Sequence, residues 1–154
     1  MQEVYCIEAK ENTMKVDKIP IYPLDLKENG LCKIDLSQIP LPDEFSEYQQ
    51  IMIYLPPLTT GGNHRHPRRE LFFSLNEELQ LHWIDEKGIL QIWPMKEKDQ
   101  LYLFDVHPFV PHAIVNTSPQ TGAVLLEITN EKQYGVEAYP VISNRLQSQQ
   151  SSDS

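Results

Sequence analysis

Gly62-Asn63-His64-Arg65-His66-Pro67-Arg68-Arg69-Glu70 is the stretch on which the reading of this chain turns. His64 and His66 are two residues apart, so on a β-strand both imidazoles leave the same face. Glu70 follows four residues later and returns to that face if the chain bends or bulges in between. Further along, Pro111-His112-Ala113-Ile114-Val115-Asn116 supplies a third histidine on a strand-like segment that can approach from across a sheet. Three imidazoles and one carboxylate converging on a point suit a divalent transition metal.

The surrounding pattern is β. Gln50 to Leu55, Glu70 to Leu75, Leu79 to Ile84, Ile89 to Trp93, Leu101 to Val106, His112 to Asn116 and Ala123 to Ile128 are short, apolar and rich in β-branched and aromatic residues. Thr59 to Asn63 reads as a turn cluster before the histidine pair. Asp85-Glu86-Lys87-Gly88 reads as a hairpin turn with Gly where φ must be positive, and Ser118 to Gly122 as a second hairpin. Strands at this spacing predict an all-β sandwich or small antiparallel barrel over residues 46–142. Residues 1–45 carry prolines at 20, 23, 40 and 42, which interrupt every candidate helix. They read as strands, turns and an arm that packs on a neighbour. Residues 143–154 are polar and low in complexity and read as a disordered tail.

The totals agree with one globular domain. The chain has 154 residues, 40% hydrophobic and 23% charged. Its formal charge of −9 repels nucleic acid and anionic membranes, so neither is an expected partner. Cys6 and Cys32 have no CxxC spacing and lie outside the histidine cluster. They read as reduced thiols of a cytoplasmic protein. No signal-peptide pattern is visible, and no apolar run nears the roughly 18 residues that span a bilayer.

His64-x-His66-x-x-x-Glu70 followed by His112-x-x-x-Asn116 resembles the two sequence motifs of the cupins, over roughly residues 48–130. The resemblance implies a single-domain cupin-type antiparallel β-barrel, a jelly roll or double-stranded β-helix. It implies His64, His66, Glu70 and His112 as metal ligands, Asn116 as a structural residue behind them, and a homodimer formed through N-terminal strands. Turn positions depart from the family pattern. The first-motif Gly falls at Leu58, the Gly after the Glu at Glu77, and the second-motif Gly and Pro at Phe109 and His107.

Independently of that resemblance, the donor set suits Fe, Mn, Ni, Co, Cu or Zn, and no thiolate selects among them. Arg68 shares the inward face if the strand runs straight through Pro67. It is then a candidate to hold a carboxylate or phosphate of the substrate; a surface ion pair is the alternative. Arg65 alternates outward. His107 is a candidate acid–base group at the barrel mouth, and His82 reads as structural. Phe72, Phe73, Trp83, Trp93, Phe104 and Phe109 read as core and barrel wall.

The function expected is a metal-dependent enzyme acting on a small oxygenated or anionic molecule, by isomerisation, hydrolysis or dioxygenation. One alternative is a sugar-nucleotide ketoisomerase or epimerase that uses histidine acid–base chemistry without metal, for which Gly62-x-His64-x-His66 is also suitable. Another is a ligand-binding module without catalysis.

Overall fold

The computed structural model describes residues 14–98 and 100–142. The expected tail, Cys6 and the first thirteen residues lie outside them. In chain order the strands are β1 (Val16–Ile21), β2 (Asp25–Leu26), β3 (Cys32–Lys33), β4 (Gln49–Leu55), β5 (Thr60–Arg65), β6 (Glu70–Phe73), β7 (Leu79–Ile84), β8 (Leu90–Pro94), β9 (Lys96–Glu97), β10 (Gln100–Val106), β11 (His112–Asn116), β12 (Ala123–Thr129) and β13 (Glu137–Ala138). One 3-10 turn, Leu36–Gln38, is capped by the Asp35 side chain. No helix among the described residues is long and apolar enough to cross a membrane.

Two antiparallel sheets face each other. One runs β1-β10-β6-β12-β4, with β9 added to β10; the other runs β13-β5-β11-β7-β8. The pairings nest about the β7–β8 hairpin: β4 with β12, β5 with β11, β6 with β10. This is a jelly roll. Strand alternation decides what fills it. Phe72, Leu81, Trp83, Phe104, Ile114 and Leu125 point between the sheets and form the main buried cluster. The neighbouring residues Leu71, Phe73, Leu103 and Ile128 point out of the six-stranded sheet, where Ile39 and Phe45 cover them. The N-terminal segment therefore closes the outer face of its own sheet, and β1 pairs with β10 of the same chain.

Two sequence expectations are corrected. Thr59 to Asn63 is not a turn cluster: Thr60 to Arg65 form β5, paired with β11. The turn-prone Gly62 and Asn63 are used inside the strand, at a register shift opposite His112 and Ala113. Nor does Ser118 to Gly122 close a hairpin, because β11 and β12 belong to different sheets. Asn116 makes this corner. Its amide donates to the carbonyls of Leu55, Pro56 and Thr121, and its carbonyl accepts from the Ser118 N–H. A fully buried side chain with all these bonds made fixes the path that turns the chain from one sheet to the other. The Asp85–Gly88 hairpin forms as expected, with Gly88 at φ 80°.

Leu58 and Phe109, which stand where the cupin pattern has glycine, both adopt left-handed φ, 57° and 65°. The backbone keeps the turn that the family pattern supplies with Gly. Both side chains are largely exposed, so little packing holds them there. A side chain in this region costs about 1–2 kcal/mol, and the extra freedom of Gly in the unfolded chain offsets about 0.5–1 kcal/mol of any gain. Leu58→Gly and Phe109→Gly are each expected to raise the melting temperature by about 1–4 °C. Calorimetry showing a lower melting temperature would mean that the remaining side-chain contacts outweigh the strain.

Candidate metal centre

Both sheets contribute to one constellation at an end of the barrel. His64 comes from β5 and His112 from β11, which face each other in register. The register shift beside this pair is built by Gly62, at φ 80°, where a Cβ would meet the His112 carbonyl oxygen at 3.2 Å. Glycine is required there, and it lets β5 approach β11 closely enough for the rings to meet. His66 lies just beyond β5, in the link to β6, and Glu70 opens β6 on the opposite sheet.

The three rings stand edge to face around a common point, with centroids 4.9, 5.0 and 5.0 Å apart. One donor atom from each of His64, His66, Glu70 and His112 lies within 4.8 Å of every other. The tautomers of two rings follow from their partners. His66 Nδ1 stands 3.1 Å from the Arg68 carbonyl and His112 Nδ1 stands 2.8 Å from the Val110 carbonyl. A carbonyl only accepts, so each Nδ1 carries the proton and each Nε2 presents a lone pair. Both Nε2 atoms are buried and have no hydrogen-bond partner. His66 Nε2 does lie 2.5 Å from Glu70 Oε1. With the ring neutral and its proton on Nδ1, that contact opposes a lone pair to a carboxylate and calls for a cation between the two atoms, either a metal ion or a second proton on the ring. Orphaned buried nitrogens and a carboxylate aimed at one point fit a metal ion.

No protein-family model and no curated protein matches the sequence. Solved structures do match. A dTDP sugar isomerase from Desulfovibrio desulfuricans aligns with a TM-score of 0.65 at 17% identity, over 88% of this chain and 89% of its own. QdtA, a sugar 3,4-ketoisomerase from Thermoanaerobacterium thermosaccharolyticum solved in complex with TDP, aligns at 0.54 and 18% identity, over 79% and 85%. The chain has the cupin fold. The capsular polysaccharide assembling protein CapF from Staphylococcus aureus matches at 0.51 and 18% identity over 59% of this chain, which spans only 28% of CapF. At these identities the likeness is one of fold.

The floor of the site is a buried ion network. Arg68 Nε donates to Glu70 Oε1 and its Nη2 to Glu127 Oε1, both at 2.9 Å. All three side chains are less than a tenth exposed. Arg68 does point inward, but two of its edges already serve carboxyl groups of the protein. Burial alone would push the Glu70 carboxyl up; His66, His112 and Glu127 around it hold it well below the usual carboxylate range. Burial and the neighbouring Glu70 push the Glu127 carboxyl up to about 8. Burial, then His112 and His66, lowers His64 to about 4, and burial lowers His112 as well. His64 is thus neutral, as metal ligation requires, throughout the neutral range, and burial biases His112 the same way.

Glu127 escaped the sequence reading. In Ala123-Val124-Leu125-Leu126-Glu127 it shares the face of Ala123 and Leu125, and an acid within an apolar stripe was the available signal.

Other candidates lie elsewhere. His107 does not reach the mouth: it is buried on the outer face of the six-stranded sheet, 2.8 Å from Asp17 and 3.8 Å from Asp105. The side chain after inward Val106 must point outward, which is why. His82 alternates outward from Leu81 and Trp83 and contacts Gln80 at 3.0 Å. Arg65 faces outward and pairs with Glu137 at 2.8 Å. Phe73 packs outside the barrel under the N-terminal segment, and Phe109 is exposed; neither lines the interior.

These shifts predict the pH response of the metal-free protein. His64 is lowered from 6.5 to about 4, so on acidification the unfolded chain takes the proton first. Stability therefore falls as pH drops through that window. Glu127 is raised from 4.5 to about 8, so the unfolded chain loses its proton first and stability falls as pH rises through that window. The melting temperature of chelator-treated protein is expected to be highest where the two effects balance. His64→Gln should remove its contribution between about pH 6.5 and 4 and leave the steeper acid loss from the depressed Glu70 carboxyl below 4.5, and Glu127→Gln should flatten the alkaline arm. Unchanged arms would contradict the assigned environments.

Proposed function

We propose that His64, His66, Glu70 and His112 hold one divalent transition metal and that this cupin is an enzyme acting on a small oxygenated substrate, of isomerase type or a dioxygenase. The observation that carries the reading is the convergence of four buried or half-buried donors within 4.8 Å of one another, with the Nδ1 atoms of His66 and His112 turned to backbone carbonyls so that their Nε2 atoms face Glu70. A bound ion would supply Lewis acidity to a substrate oxygen, or a redox centre for dioxygen if it is a redox-active metal. The chain's own residues do the rest. Val110 and Arg68 carbonyls orient the imidazoles, Arg68 and Glu127 hold the Glu70 carboxyl, and Phe72, Ile114 and Leu125 line the cavity and keep bulk water out. Asn116 holds the β11–β12 corner that follows His112.

The cavity above the histidines is about 130 Å³. Pockets that enclose a drug-sized ligand run to about 300–1,000 Å³. A whole nucleotide-sugar does not fit inside; only the reacting ring would enter. The volume therefore suits a small substrate and equally the reacting ring of the second reading, a metal-free sugar-nucleotide ketoisomerase, which the fold likeness to two sugar isomerases favours. A cytoplasmic location and a homodimer belong to the proposal. A monomer by light scattering at micromolar concentration would remove the latter.

Elemental analysis of protein purified without tag or chelator tests the centre. About one equivalent of metal per chain, lost in His64→Ala, is expected. Metal-free protein that cannot be reconstituted would shift the reading to histidine acid–base chemistry.

A further inference from the structure

We propose that the cavity takes a neutral, compact oxygenated molecule with apolar flanks, and that Glu127 sets this selectivity by occupying Arg68. The inference rests on the metal site proposed above and adds the substrate class. Among the described residues lining the cavity, Arg68 is the only Lys or Arg. A carboxylate substrate would seek the guanidinium as a two-pronged donor. Its side-on fork is taken: Nε serves Glu70 and Nη2 serves Glu127, each at 2.9 Å. An incoming anion would also meet the Glu70 carboxylate at close range, out of bulk water, where repulsion is strongest.

The placement of Glu127 is a consequence of register. It lies opposite Phe72 on β6, and Glu70 is the diagonal neighbour on the same face. Two carboxyl groups so placed share one guanidinium, and Arg68 lies between them. An apolar residue at 127, like Leu125 two positions earlier, would satisfy packing without the cost of burying an ionisable group. The remaining walls, including Ile53, Leu55, Phe72 and Leu125, are hydrocarbon. In volume the cavity compares with engineered cavities of about 150 Å³ that admit a benzene-sized molecule. The reacting part of the substrate is therefore about six heavy atoms in size, with oxygen at the histidine end and carbon along the sides.

Acetoin and lactate are matched probes, the first neutral and the second a carboxylate. Both are titrated calorimetrically into zinc-loaded and chelator-treated protein, with metal content measured on the same samples. Glu127→Ala vacates one edge of Arg68, so lactate should bind at least about tenfold more tightly than to wild type, as one regained charge-assisted hydrogen bond requires. Acetoin should change little, and Glu127→Ala/Arg68→Met should lose the lactate gain. Glu127→Ser opens the same edge with less loss of polarity and covers an alanine variant that does not fold. Equal lactate affinity in wild type and in the Glu127 variants would overturn the inference while leaving the metal site standing. Protein that holds no zinc, yet gains lactate binding in Glu127→Ala, would sink the metal centre and keep the role of Glu127.

Discussion

His112→Ala is expected to strip the protein of metal while its β-sheet signal stays unchanged. The imidazole is 2% exposed, its Nδ1 is committed to the Val110 carbonyl, and its Nε2 has no hydrogen-bond partner among the described residues, with Glu70 Oε2 at 3.7 Å. Removing even a group that merely orients a ligand weakens metal binding by about 10- to 100-fold. Removing a ligand itself should exceed that range. The second readout is thermal: metal at about 100 times its dissociation constant stabilises the folded state by about 2.7 kcal/mol. Wild type should gain that increment on metal addition and His112→Ala should gain none. His66→Ala should behave alike, because its buried Nε2 faces the same centre, 2.5 Å from Glu70 Oε1. If both variants retain a full equivalent of metal, the four-residue centre is wrong.

Arg69→Met should give the largest loss of stability, and it should leave the metal site alone. Arg69 follows inward Arg68 and so points out of the barrel. There its Nε and Nη2 meet the two oxygens of Asp105 at 2.8 and 2.6 Å. Its Nη1 reaches Glu44 of the N-terminal segment, and its backbone N–H donates to the Asn130 side chain. Asp105 and Arg69 are both less than a tenth exposed. Burial works against the Arg69 charge, yet Asp105 and Glu44 raise its pKa further. Taking away one partner of a buried pair leaves the other charged and uncompensated, at a cost of about 3–5 kcal/mol. For a chain of this length the melting temperature should fall by about 6–20 °C. Arg69→Met/Asp105→Leu should recover most of the loss, since an apolar pair of similar volume replaces a charged one. Metal content per folded chain should match wild type throughout. Loss of metal in Arg69→Met at an unchanged melting temperature would show that Arg69 supports the site and not the sheet.

The adjacent arginines show what strand alternation can and cannot settle. The sequence places Arg68 and Arg69 on opposite faces if the chain runs straight, and they are so placed. What each meets was not legible. Glu127 lies 59 residues from Arg68 and Asp105 lies 36 from Arg69. Those distances are closed by β12 and β10 flanking β6, a pairing order that no local pattern encodes. Turn chemistry was similarly ambiguous. Ser118-Pro119-Gln120-Thr121-Gly122 has the composition of a hairpin loop and makes a corner between sheets, because the buried Asn116 amide claims carbonyls from both sides of it.

The all-β class, most strand positions and the candidate donors His64, His66, Glu70 and His112 are legible in the amino-acid order, because period-two alternation and a short donor spacing are local properties. Only the tertiary structure decided that the four donors meet. That meeting needs β5 against β11 in one sheet and β6 in the other, with Gly62 allowing the close approach of the first pair. Only the tertiary structure, too, brought Glu127 to Arg68 and sent His107 to the outer face. Side-chain direction is written in the strand period, but the partner across a sheet is fixed by long-range register.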